Sequence, residues 1–468
     1  MRRFTSMIGA AIGVLVGVEA AATDSNDKRV QWLRQHVIEI ATPRPLVDDD
    51  ADLRPLADVL AHARVVQLGE QTHGDGTAFL LRTRLVRFLH EQLGFDAVAF
   101  ESGFYECQAV QAALSTASIS LHEAIDRGVY PIWAESRQMQ HLFAYLRGTH
   151  ASARPVEFFG FDVQFSRPST RRQLPTDLME VLEQVVSPGL DAAQRQQLDS
   201  IVQAIAGAGQ YKIDVETHVS NQQFLERLRS TLRSAQTASN ATEPSRSLRW
   251  WVQVISGLKH MERSTHLRSL APPFNPARPE LTFGSPFAIR AGNARDLGMA
   301  ENIQWWLDGP GQDRKLIVWA ANNHVGYRRG TPTGMRLPDE RDKPVSTPAG
   351  VHIQRMLGDE AYTFLTVVYS GDWAAPSIRT AEGELRWTEG DHPPAATGTL
   401  AALLHEAGRP LALLDLRAVR KDADHWLNQP IVIRADLFNG EAVVPSRCCD
   451  GILFIDHMEP SVPRTDRR

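Results

Sequence analysis

The chain has 468 residues, a formal net charge of −5, 43% hydrophobic residues and 22% charged residues. These proportions are typical of a soluble globular protein with a large core, built as one big domain or two ordinary ones. The slightly acidic balance gives no electrostatic basis for binding nucleic acid or an anionic membrane surface. After the N-terminal segment, no stretch is apolar for long enough to span a bilayer.

The N-terminus predicts a secretory signal peptide. Two arginines precede an apolar run from Met7 to Val18, and Ala20-Ala21-Ala22 offers a small-residue cleavage site. We therefore predict a signal peptide over residues 1–22, a mature chain over residues 23–468, and a periplasmic or secreted location. A membrane anchor is the alternative, but the apolar run is short for a spanning helix.

The chain has three cysteines, and they suit an oxidising compartment poorly. A bond between the neighbouring Cys448 and Cys449 would close a strained ring. The sequence leaves open whether Cys107 bridges to one of them and leaves an odd thiol. No CxxC spacing is present, so a zinc site is not expected.

Helices are predicted over Lys28–Ala41 and Ala51–Ala63, ahead of a strand–helix–strand unit that begins at Val65. The run Val65–Leu68 suits a buried strand. A helix from about Thr77 to Leu93 follows, and Gly94 ends it in the left-handed conformation that glycine favours. A second buried strand then runs to Glu101. The right-handed crossover of such a unit places both strand ends at the same edge of the sheet.

Chemically capable side chains follow both strands of this unit. Glu70 and His73 lie in the glycine-bracketed turn after the first strand, and Glu101 ends the second. Ligands of open α/β sheets bind outside the carboxyl ends of strands, so these three groups are expected to converge. Arg82 lies in the apolar stripe of the helix, where it needs a carboxylate partner or an anionic ligand. The alternative is that Arg82 extends to solvent from the edge of the stripe.

Two later strands repeat this pattern. A buried strand over Val156–Phe161 ends in Asp162, which points another carboxylate at the same edge. The strand Leu316–Ala320 precedes a polar turn that contains Asn322 and His324, so it parallels the first strand and turn. We therefore expect His324 to share one pocket with His73 and Glu101. Further strands are predicted over Thr363–Tyr369, Ala412–Asp415 and Gly451–Ile455.

Residues 167–270 differ in character, with long polar and amphipathic helical patterns. The sequence thus predicts an α/β fold whose central, mixed and largely parallel sheet is flanked by helices, with a helical insert over residues 167–270. The insert is expected to form a wall or lid of the site, or else a structural layer on the sheet. An irregular connection is predicted over Ala271–Phe287, and a mobile loop over Tyr327–Thr347.

Several segments together resemble the erythromycin esterase family. The blocks are GEQTHG at 69–74, FLLR at 79–82, LGFDAVAFESGF at 93–104, FFGFD at 158–162, ARDLGMAENIQWWL at 294–307 and WAANNHVG at 319–326. The resemblance spans roughly residues 65–326, with a fainter echo in GILFIDHMEP near the C-terminus. It implies a catalytic domain of this family over residues 23–468 that cleaves a carboxylic ester or macrolactone. His73 would be the base that activates water, with Glu70, Glu101, Arg82 and His324 as its companions.

The residues themselves are compatible with that chemistry. No GxSxG motif is present, so a serine nucleophile has no anchor. Histidine titrates near neutral pH and suits a general base when a carboxylate fixes its tautomer. His73 with Glu70 or Glu101 meets that description, and His324 is the candidate to stabilise an oxyanion or protonate the leaving alkoxide. The candidate substrate-binding groups are Arg82, Asp162, Arg295 and Asn322.

Each candidate also has a structural alternative. Glu70 could cap the following helix, and Asp162 could orient a neighbouring side chain. Asn322 or Asn323, instead of His324, could be the important group of its turn. Arg295 could pair with the adjacent Asp296 or face the pocket.

Three other functions compete with the esterase. Glu70-x-x-His73 copies the spacing of di-iron carboxylate proteins, but that spacing needs a helix, and the flanking glycines favour a loop; no metal and no cofactor are therefore expected. A non-catalytic haem-binding protein of related fold would use His73 or His324 as an axial ligand. A biosynthetic hydrolase or transferase acting on a polysaccharide or other metabolite is the third. Under the preferred hypothesis the partner is a small ester or lactone, and the oligomeric state is undetermined.

Overall fold

The structure is a computed structural model of the chain. It describes residues 26–47, 49–116, 120–165, 167, 169–185, 189–206, 212–238, 243–273, 282, 284–327, 345–378, 385–434 and 440–464. The predicted signal peptide over residues 1–22 lies outside these residues. So do most of the predicted connection over Ala271–Phe287 and most of the predicted loop over Tyr327–Thr347. No helix among the described residues combines the length and apolarity needed to cross a membrane.

A mixed, largely parallel sheet forms the centre of the protein, as predicted. Its nine strands lie in the order β1-β8-β11-β6-β2-β5-β3-β4, with β7 paired to β6 as a hairpin. Neighbours from β11 to β4 run parallel, whereas β1, β7 and β8 pair antiparallel. The strands are β1 Ile38–Glu39, β2 Val65–Glu70, β3 Phe95–Gly103, β4 Glu157–Asp162, β5 Lys315–Ala321, β6 Ala361–Ile378, β7 Leu385–His392, β8 Leu411–Asp415 and β11 Gly451–Met458. A separate two-stranded sheet joins β9 Ile431–Val432 to β10 Ala442–Val443.

Helices cover both faces of the sheet. They are α1 over 26–36, α2 Leu56–Val59, α3 Gly76–Leu93, α4 Gln108–Ser115, α5 Leu121–Gly128, α6 Pro131–Ala134, α7 Gln140–Thr149, α8 Thr170–Val185, α9 Ala192–Ala206, α10 Val215–Ala238, α11 Glu243–Ser269, α12 Pro286–Leu307, α13 Asn322–Val325, α14 Ala349–Leu357 and α15 Leu400–Glu406. Short 3₁₀ turns occur at Ala51–Leu53, Gly358–Glu360, Trp426–Asn428 and Pro445–Arg447.

The central strands are buried on both faces, which explains their continuous apolar runs. All of β2 is buried. Its alternate side chains enter different hydrophobic clusters, with Val66 and Leu68 on one face and Val65 on the other. In the pairing of β2 with β5, Glu70 lies opposite Ala321. The strand ends are therefore level, and the turns that follow them lie side by side.

Two N-terminal helices differ from the prediction. The helix predicted over Lys28–Ala41 ends at residue 36, because Ile38–Glu39 instead forms the edge strand β1, which pairs with β8. The helix predicted over Ala51–Ala63 is divided into a 3₁₀ turn and α2. Pro55 separates the two pieces, since proline cannot donate the backbone hydrogen bond that a continuous helix requires there.

Helix α3 confirms the prediction closely. It spans Gly76–Leu93 and ends at Gly94, whose φ of 76° is left-handed. Arg82, Phe79, Val86 and Leu89 are all buried, so the helix directs an arginine into the core beneath the carboxyl end of β2.

Helices α8 to α11 share a hydrophobic cluster of their own. Along its length α11 contacts α12, where the Ser264 hydroxyl donates to the Ala291 carbonyl at 2.9 Å and His260 lies 2.9 Å from Glu301. Asn302 of α12 in turn donates to the Phe161 carbonyl at 2.9 Å. The helical segment is thus connected to the strand that ends in Asp162; its role as a lid stays a prediction.

The three cysteines are buried and form no disulfide bond with one another. Cys107 packs in the hydrophobic cluster on one face of the sheet, whereas Cys448 and Cys449 pack in the cluster on the other face. A disulfide from Cys107 to Cys448 or Cys449 is therefore incompatible with this fold.

Candidate active site

The turn after β2 holds His73 against Glu70. The Nδ1 atom of His73 lies 2.7 Å from Oε1 of Glu70. The Glu70 carboxylate is fully buried, whereas the His73 side chain is 38% exposed. Residues 71–74 form a turn, as the flanking glycines predicted. His73 is therefore oriented by a buried carboxylate and remains accessible from solvent.

Arg82 is the buried counter-ion of Glu70. Its Nη1 donates to Oε2 of Glu70 at 2.5 Å, and its Nη2 donates to the carbonyls of Leu68 and, at 3.2 Å, Ala320. The guanidinium carbon lies 3.9 Å from the centre of the Trp319 ring, an additional cation–π contact. This confirms that Arg82 needs a carboxylate partner. Because both side chains are completely buried, Arg82 has no surface to offer a substrate, and its proposed substrate-binding role does not fit this geometry.

These contacts set the charge of the turn. Burial alone would raise the pKa of Glu70, but Arg82 and His73 outweigh it and hold that pKa below its ordinary value. Burial lowers the pKa of Arg82 to about 10 even though Glu70 opposes the shift. Removal from bulk water likewise lowers the pKa of His73. The hydrogen bond to Glu70 and the charge of Glu101 more than compensate, so the net pKa of His73 is raised above 6.5.

Glu101 connects this turn to the second histidine. Its Oε2 accepts a hydrogen bond from the Ala321 amide at 2.7 Å. Its Oε1 lies 3.3 Å from Nε2 of His324 and 3.6 Å from Nη2 of Arg295. Ligand atoms of Glu70, His73 and Glu101 all lie within 4.8 Å of one another. Both histidines thus converge on Glu101, as expected, although β3 continues past Glu101 to Gly103.

His324 lies between two carboxylates. It belongs to the short helix α13, and its Nδ1 lies 2.7 Å from Oδ1 of Asp296 on α12. The same Asp296 oxygen accepts the Ala349 amide at 3.0 Å, which fixes the carboxylate in place. Burial lowers the pKa of His324, but Asp296 and Glu101 outweigh that effect and raise it from 6.5 to about 9. His324 is therefore an imidazolium at neutral pH.

Asp162 and Arg295 form the far side of the site. The guanidinium of Arg295 donates to both oxygens of Asp162, with Nε at 3.0 Å from Oδ1. The Tyr130 hydroxyl donates to Oδ2 of the same carboxylate at 3.0 Å. Burial raises the pKa of Asp162, but Arg295 outweighs it and leaves the net pKa lowered. Asp162 is completely buried, so it orients Arg295 towards Glu101 and does not itself face a substrate.

Asn322 has a structural role in this arrangement. Its amide donates to the Thr366 carbonyl at 2.8 Å and accepts the Thr366 amide at 3.1 Å. The side chain thus behaves like a segment of backbone that joins the end of β5 to β6. Because both of these polar atoms are used, the geometry does not support Asn322 as a substrate-binding residue.

Sequence reasoning missed three residues of the site. Asp296 was noted only as a neighbour of Arg295, yet the two do not pair with each other: Arg295 binds acids, and Asp296 binds His324. Trp133 of α6 makes an edge-on contact with the His73 ring, with centroids 5.0 Å apart. Tyr130 precedes it. The alternation of charge in Arg295-Asp296 was a usable signal, whereas Tyr130 and Trp133 lie in a segment without a motif.

Glu70, His73 and Glu101 form the cluster of three potential ligands found among the described residues. The donor set does not fit a cation well. Both oxygens of Glu70 are engaged by His73 and Arg82, and both oxygens of Glu101 have partners. Two guanidinium groups already balance these carboxylates, and a divalent ion would have to compete with them. Acid–base chemistry suits this set of groups better.

Gly74, which ends the turn that carries His73, provides a sharp structural test. A Cβ atom there would lie 2.8 Å from the backbone of Ala374 in β6. We expect Gly74→Ala to destabilise the fold by about 1–3 kcal/mol through overpacking. Thermal unfolding checks this, with Gly148→Ala as the matched control, since a Cβ at Gly148 meets nothing within 4 Å. Equal unfolding temperatures for the two variants would contradict the close approach of the turn to β6.

A largely parallel sheet with two histidines and their carboxylates at the carboxyl ends of its strands defines an α/β protein with an acid–base centre. Residues 90–458 match the family model described as erythromycin esterase. The chain belongs to the erythromycin esterase family. The matched range includes Glu101, Asp162, Arg295 and His324 and begins after Glu70 and His73.

Curated relatives agree with this assignment. The Bacillus subtilis (strain 168) protein named "Putative hydrolase YbfO" is 26% identical over 444 residues, covering 92% of this chain and 91% of the relative. Erythromycin esterase type II of Escherichia coli is 24% identical over 370 residues, covering 75% of this chain and 80% of the relative. Family membership and these relatives suggest a hydrolase.

Solved structures share the fold. A Bacillus cereus protein matches with a TM-score of 0.71 and 18% identity, covering 94% of this chain and 99% of its own. A succinoglycan biosynthesis protein matches with a TM-score of 0.65 and 17% identity, covering 93% and 98%. An erythromycin esterase mutant in its open conformation matches with a TM-score of 0.64 and 15% identity, covering 91% and 98%.

Proposed function

We propose that this protein hydrolyses a carboxylic ester or lactone by water that His73 activates. One observation carries the proposal. His73 is 38% exposed and held by a buried carboxylate, and it faces a centre that contains Glu101 and a second histidine, His324. A base, its orienting acid and a cationic partner are the groups that acyl transfer to water requires.

The contact of His73 with Glu70 favours one tautomer of the imidazole. Because Glu70 is an acceptor, Nδ1 of His73 carries the hydrogen that it donates, and Nε2 is free to accept a proton from water. The water oxygen then bonds to the ester carbonyl carbon while its proton passes to His73. Negative charge develops on the carbonyl oxygen, where the imidazolium of His324 and the guanidinium of Arg295 stabilise it. Collapse breaks the carbon–oxygen bond, and the departing alkoxide takes the proton from His73.

The charge balance of the site favours an uncharged substrate. Its four buried or nearly buried carboxylates belong to Glu70, Glu101, Asp162 and Asp296, and the cations facing them belong to Arg82, Arg295 and His324. With His73 neutral, these four carboxylates exceed these three cations by one, and Arg268, whose charge acts on Arg295 and Asp162, brings the balance to zero. The site therefore has no surplus positive charge to attract an anionic substrate such as a phosphate ester.

This mechanism predicts a bell-shaped pH dependence of kcat/KM. The raised pKa of His73 places the acid limb above pH 6.5, since the base must lose its proton to act. The alkaline limb follows deprotonation of His324, whose pKa is raised to about 9. Initial rates on an aryl ester between pH 5 and 10 check this. A rate that keeps rising well above pH 9 would contradict the role of His324 as a cation.

Asp296→Asn should move the alkaline limb to lower pH. Asp296 is the main group that raises the pKa of His324, and asparagine keeps an oxygen for the Ala349 amide. The exposed Asp313 serves as a control, because Asp313→Asn changes the same charge away from the site. An alkaline limb unchanged in Asp296→Asn would show that His324 does not set it.

The substrate itself calls for a direct screen. The protein should be incubated with neutral aryl esters, lactones and a macrolide panel, and products followed by mass spectrometry for the addition of one water. Conversion of any neutral ester or lactone supports the proposal, and conversion of a macrolide would extend it to antibiotic inactivation. Hydrolysis of none of them, by protein that is folded and monodisperse, would overturn it.

The site gives less support to a haem-binding protein and to a biosynthetic enzyme that acts on a polysaccharide. A haem would have to displace water from a centre that contains several paired charges, which is costly without new partners. The chain shares 17% sequence identity with the succinoglycan biosynthesis protein, and this similarity concerns the fold alone. Its name nevertheless motivates acylated polysaccharide as a further member of the ester panel.

A further inference from the structure

Asp75 occupies the position before helix α3 but does not cap it. Its side chain makes no hydrogen bond to the first turn of the helix. Instead Oδ2 accepts the Thr72 amide at 2.8 Å, and Oδ1 accepts the Thr72 hydroxyl. Asp75 is completely buried. An aspartate at this position usually caps its helix, so this carboxylate is diverted to holding the turn that carries His73.

His392 approaches the same carboxylate from the opposite direction. It is the last residue of β7 and is 3% exposed. Its Nε2 lies 3.0 Å from Oδ1 of Asp75, and its Nδ1 lies 3.4 Å from Nε2 of Gln71. Since the Gln71 amide nitrogen can only donate, Nδ1 of His392 accepts and Nε2 carries the hydrogen donated to Asp75. The other end of the Gln71 amide accepts the Val368 amide of β6 at 3.0 Å.

We propose that His392 is a positioning residue for His73. One imidazole from the hairpin β6–β7 contacts the turn on both sides of His73, through Gln71 before it and through Asp75 after it, and Asp75 in turn binds Thr72. This double contact holds the turn so that Nδ1 of His73 stays on Glu70. The inference deepens the proposed function and rests on it for its kinetic consequence, because a base that is out of place cannot reach the attacking water.

Backbone hydrogen bonds hold the part of the turn that follows His73. The Gly74 carbonyl accepts the amides of Ala374 at 3.2 Å and Ser461 at 2.8 Å. These bonds lie after His73 in the chain. Before His73, side-chain contacts with Asp75, Val368 and His392 help to hold Thr72 and Gln71 in place.

Two polar variants separate positioning from general stability. Glutamine can place its amide nitrogen close to the position of Nε2 of histidine, so His392→Gln should keep the donor to Asp75. Asparagine is too short to do so, although it is equally polar. We expect His392→Asn to lower kcat by about 10- to 100-fold with little change in KM, and His392→Gln to restore most of the rate.

The pKa of His73, measured by NMR, supplies a readout that does not depend on catalysis. The groups that face His73 are Glu70 from β2, Glu101 from β3 and His324 from α13, with Arg82 of α3 behind Glu70. In His392→Asn the bond to Glu70 loosens, so the raised pKa of His73 should fall towards about 6.5. A variant that merely lost stability would not shift it.

The matched control is the His405–Asp456 pair, in which Nδ1 of His405 lies 2.6 Å from Oδ1 of Asp456. This second His–Asp contact lies outside the turn that carries His73. His405→Asn should leave both kcat and the pKa of His73 unchanged. A lowered pKa of His73 in His392→Asn, recovered in His392→Gln, supports the positioning role even if the protein proves to hydrolyse no ester. An unchanged pKa in His392→Asn overturns the role, whatever happens to the rate.

Discussion

Replacing His73 by alanine is expected to lower kcat/KM for ester hydrolysis by about 10²–10⁴-fold, the usual contribution of a positioned general base. The loss should fall mainly on kcat, since the base acts in the transition state and makes no contact that holds the ground state more tightly. The variant should unfold at nearly the temperature of the original protein, because the His73 side chain is 38% exposed and fills no core position. Steady-state kinetics and thermal unfolding measure the two quantities.

The matched control for this substitution is His141→Ala. His141 is an exposed histidine on α7 and lies outside the site. Its loss should leave kcat/KM unchanged. Wild-type activity in His73→Ala would remove this residue from the mechanism and leave His324 as the remaining histidine of the centre.

The second large effect concerns stability. Arg82→Met should destabilise the fold by about 3–5 kcal/mol, the range found when one member of a buried ion pair is removed. The reason is specific. Glu70 is completely buried, and without Arg82 its charge would be left with His73 and Trp319 as its partners among the described residues. The carbonyls of Leu68 and Ala320 would also lose their donor. Chemical denaturation at neutral pH measures the change.

A double-mutant comparison shows whether the charge is the cause. Arg82→Met combined with Glu70→Gln should be less destabilised than the sum of the single changes, because no unpaired charge remains in the core. The exposed pair Arg127 and Glu123, with side chains 64% and 52% exposed, is the control. Arg127→Met should cost less than about 1 kcal/mol. Additive effects at Arg82 and Glu70 would contradict their description as one buried pair.

The sequence predicted the centre of the site well because the relevant rule is topological. Parallel strands joined by right-handed crossovers bring their carboxyl ends to one edge. Glu70, Glu101, Asp162 and His324 each follow or end such a strand, so their convergence required no knowledge of side-chain packing. The partner of Arg82 was similarly predictable, since a guanidinium within an apolar helical stripe must find an acid.

Other parts of the site could not be predicted in this way. Trp133 reaches His73 from α6, a four-residue helix whose position depends on how its connecting loops fold. Asp296 pairs with His324 and not with the adjacent Arg295. That choice depends on the rotation of α12 about its axis. Asn322 and Arg82 were candidate substrate-binding groups in the sequence, yet the polar atoms of both are engaged by backbone carbonyls and amides or by Glu70. Pairing across distant elements, which a local pattern does not encode, decides all four.

The signal peptide over residues 1–22, the periplasmic or secreted location, the lid formed by residues 167–270 and the macrolide substrate stay predictions. Cleavage near Ala22 in material from whole cells would test the first two, by N-terminal sequencing of the mature protein and fractionation.

The proposed mechanism depends most on the identity of the base, and a comparison of two pKa values tests that identity most directly. The acid limb of kcat/KM reports ionisation of a group in the free enzyme, and NMR of the labelled imidazoles reports the pKa of His73 in the same state. We predict that the two values coincide, above 6.5. A limb whose midpoint differs from the His73 titration by a full pH unit would mean that another group activates the water.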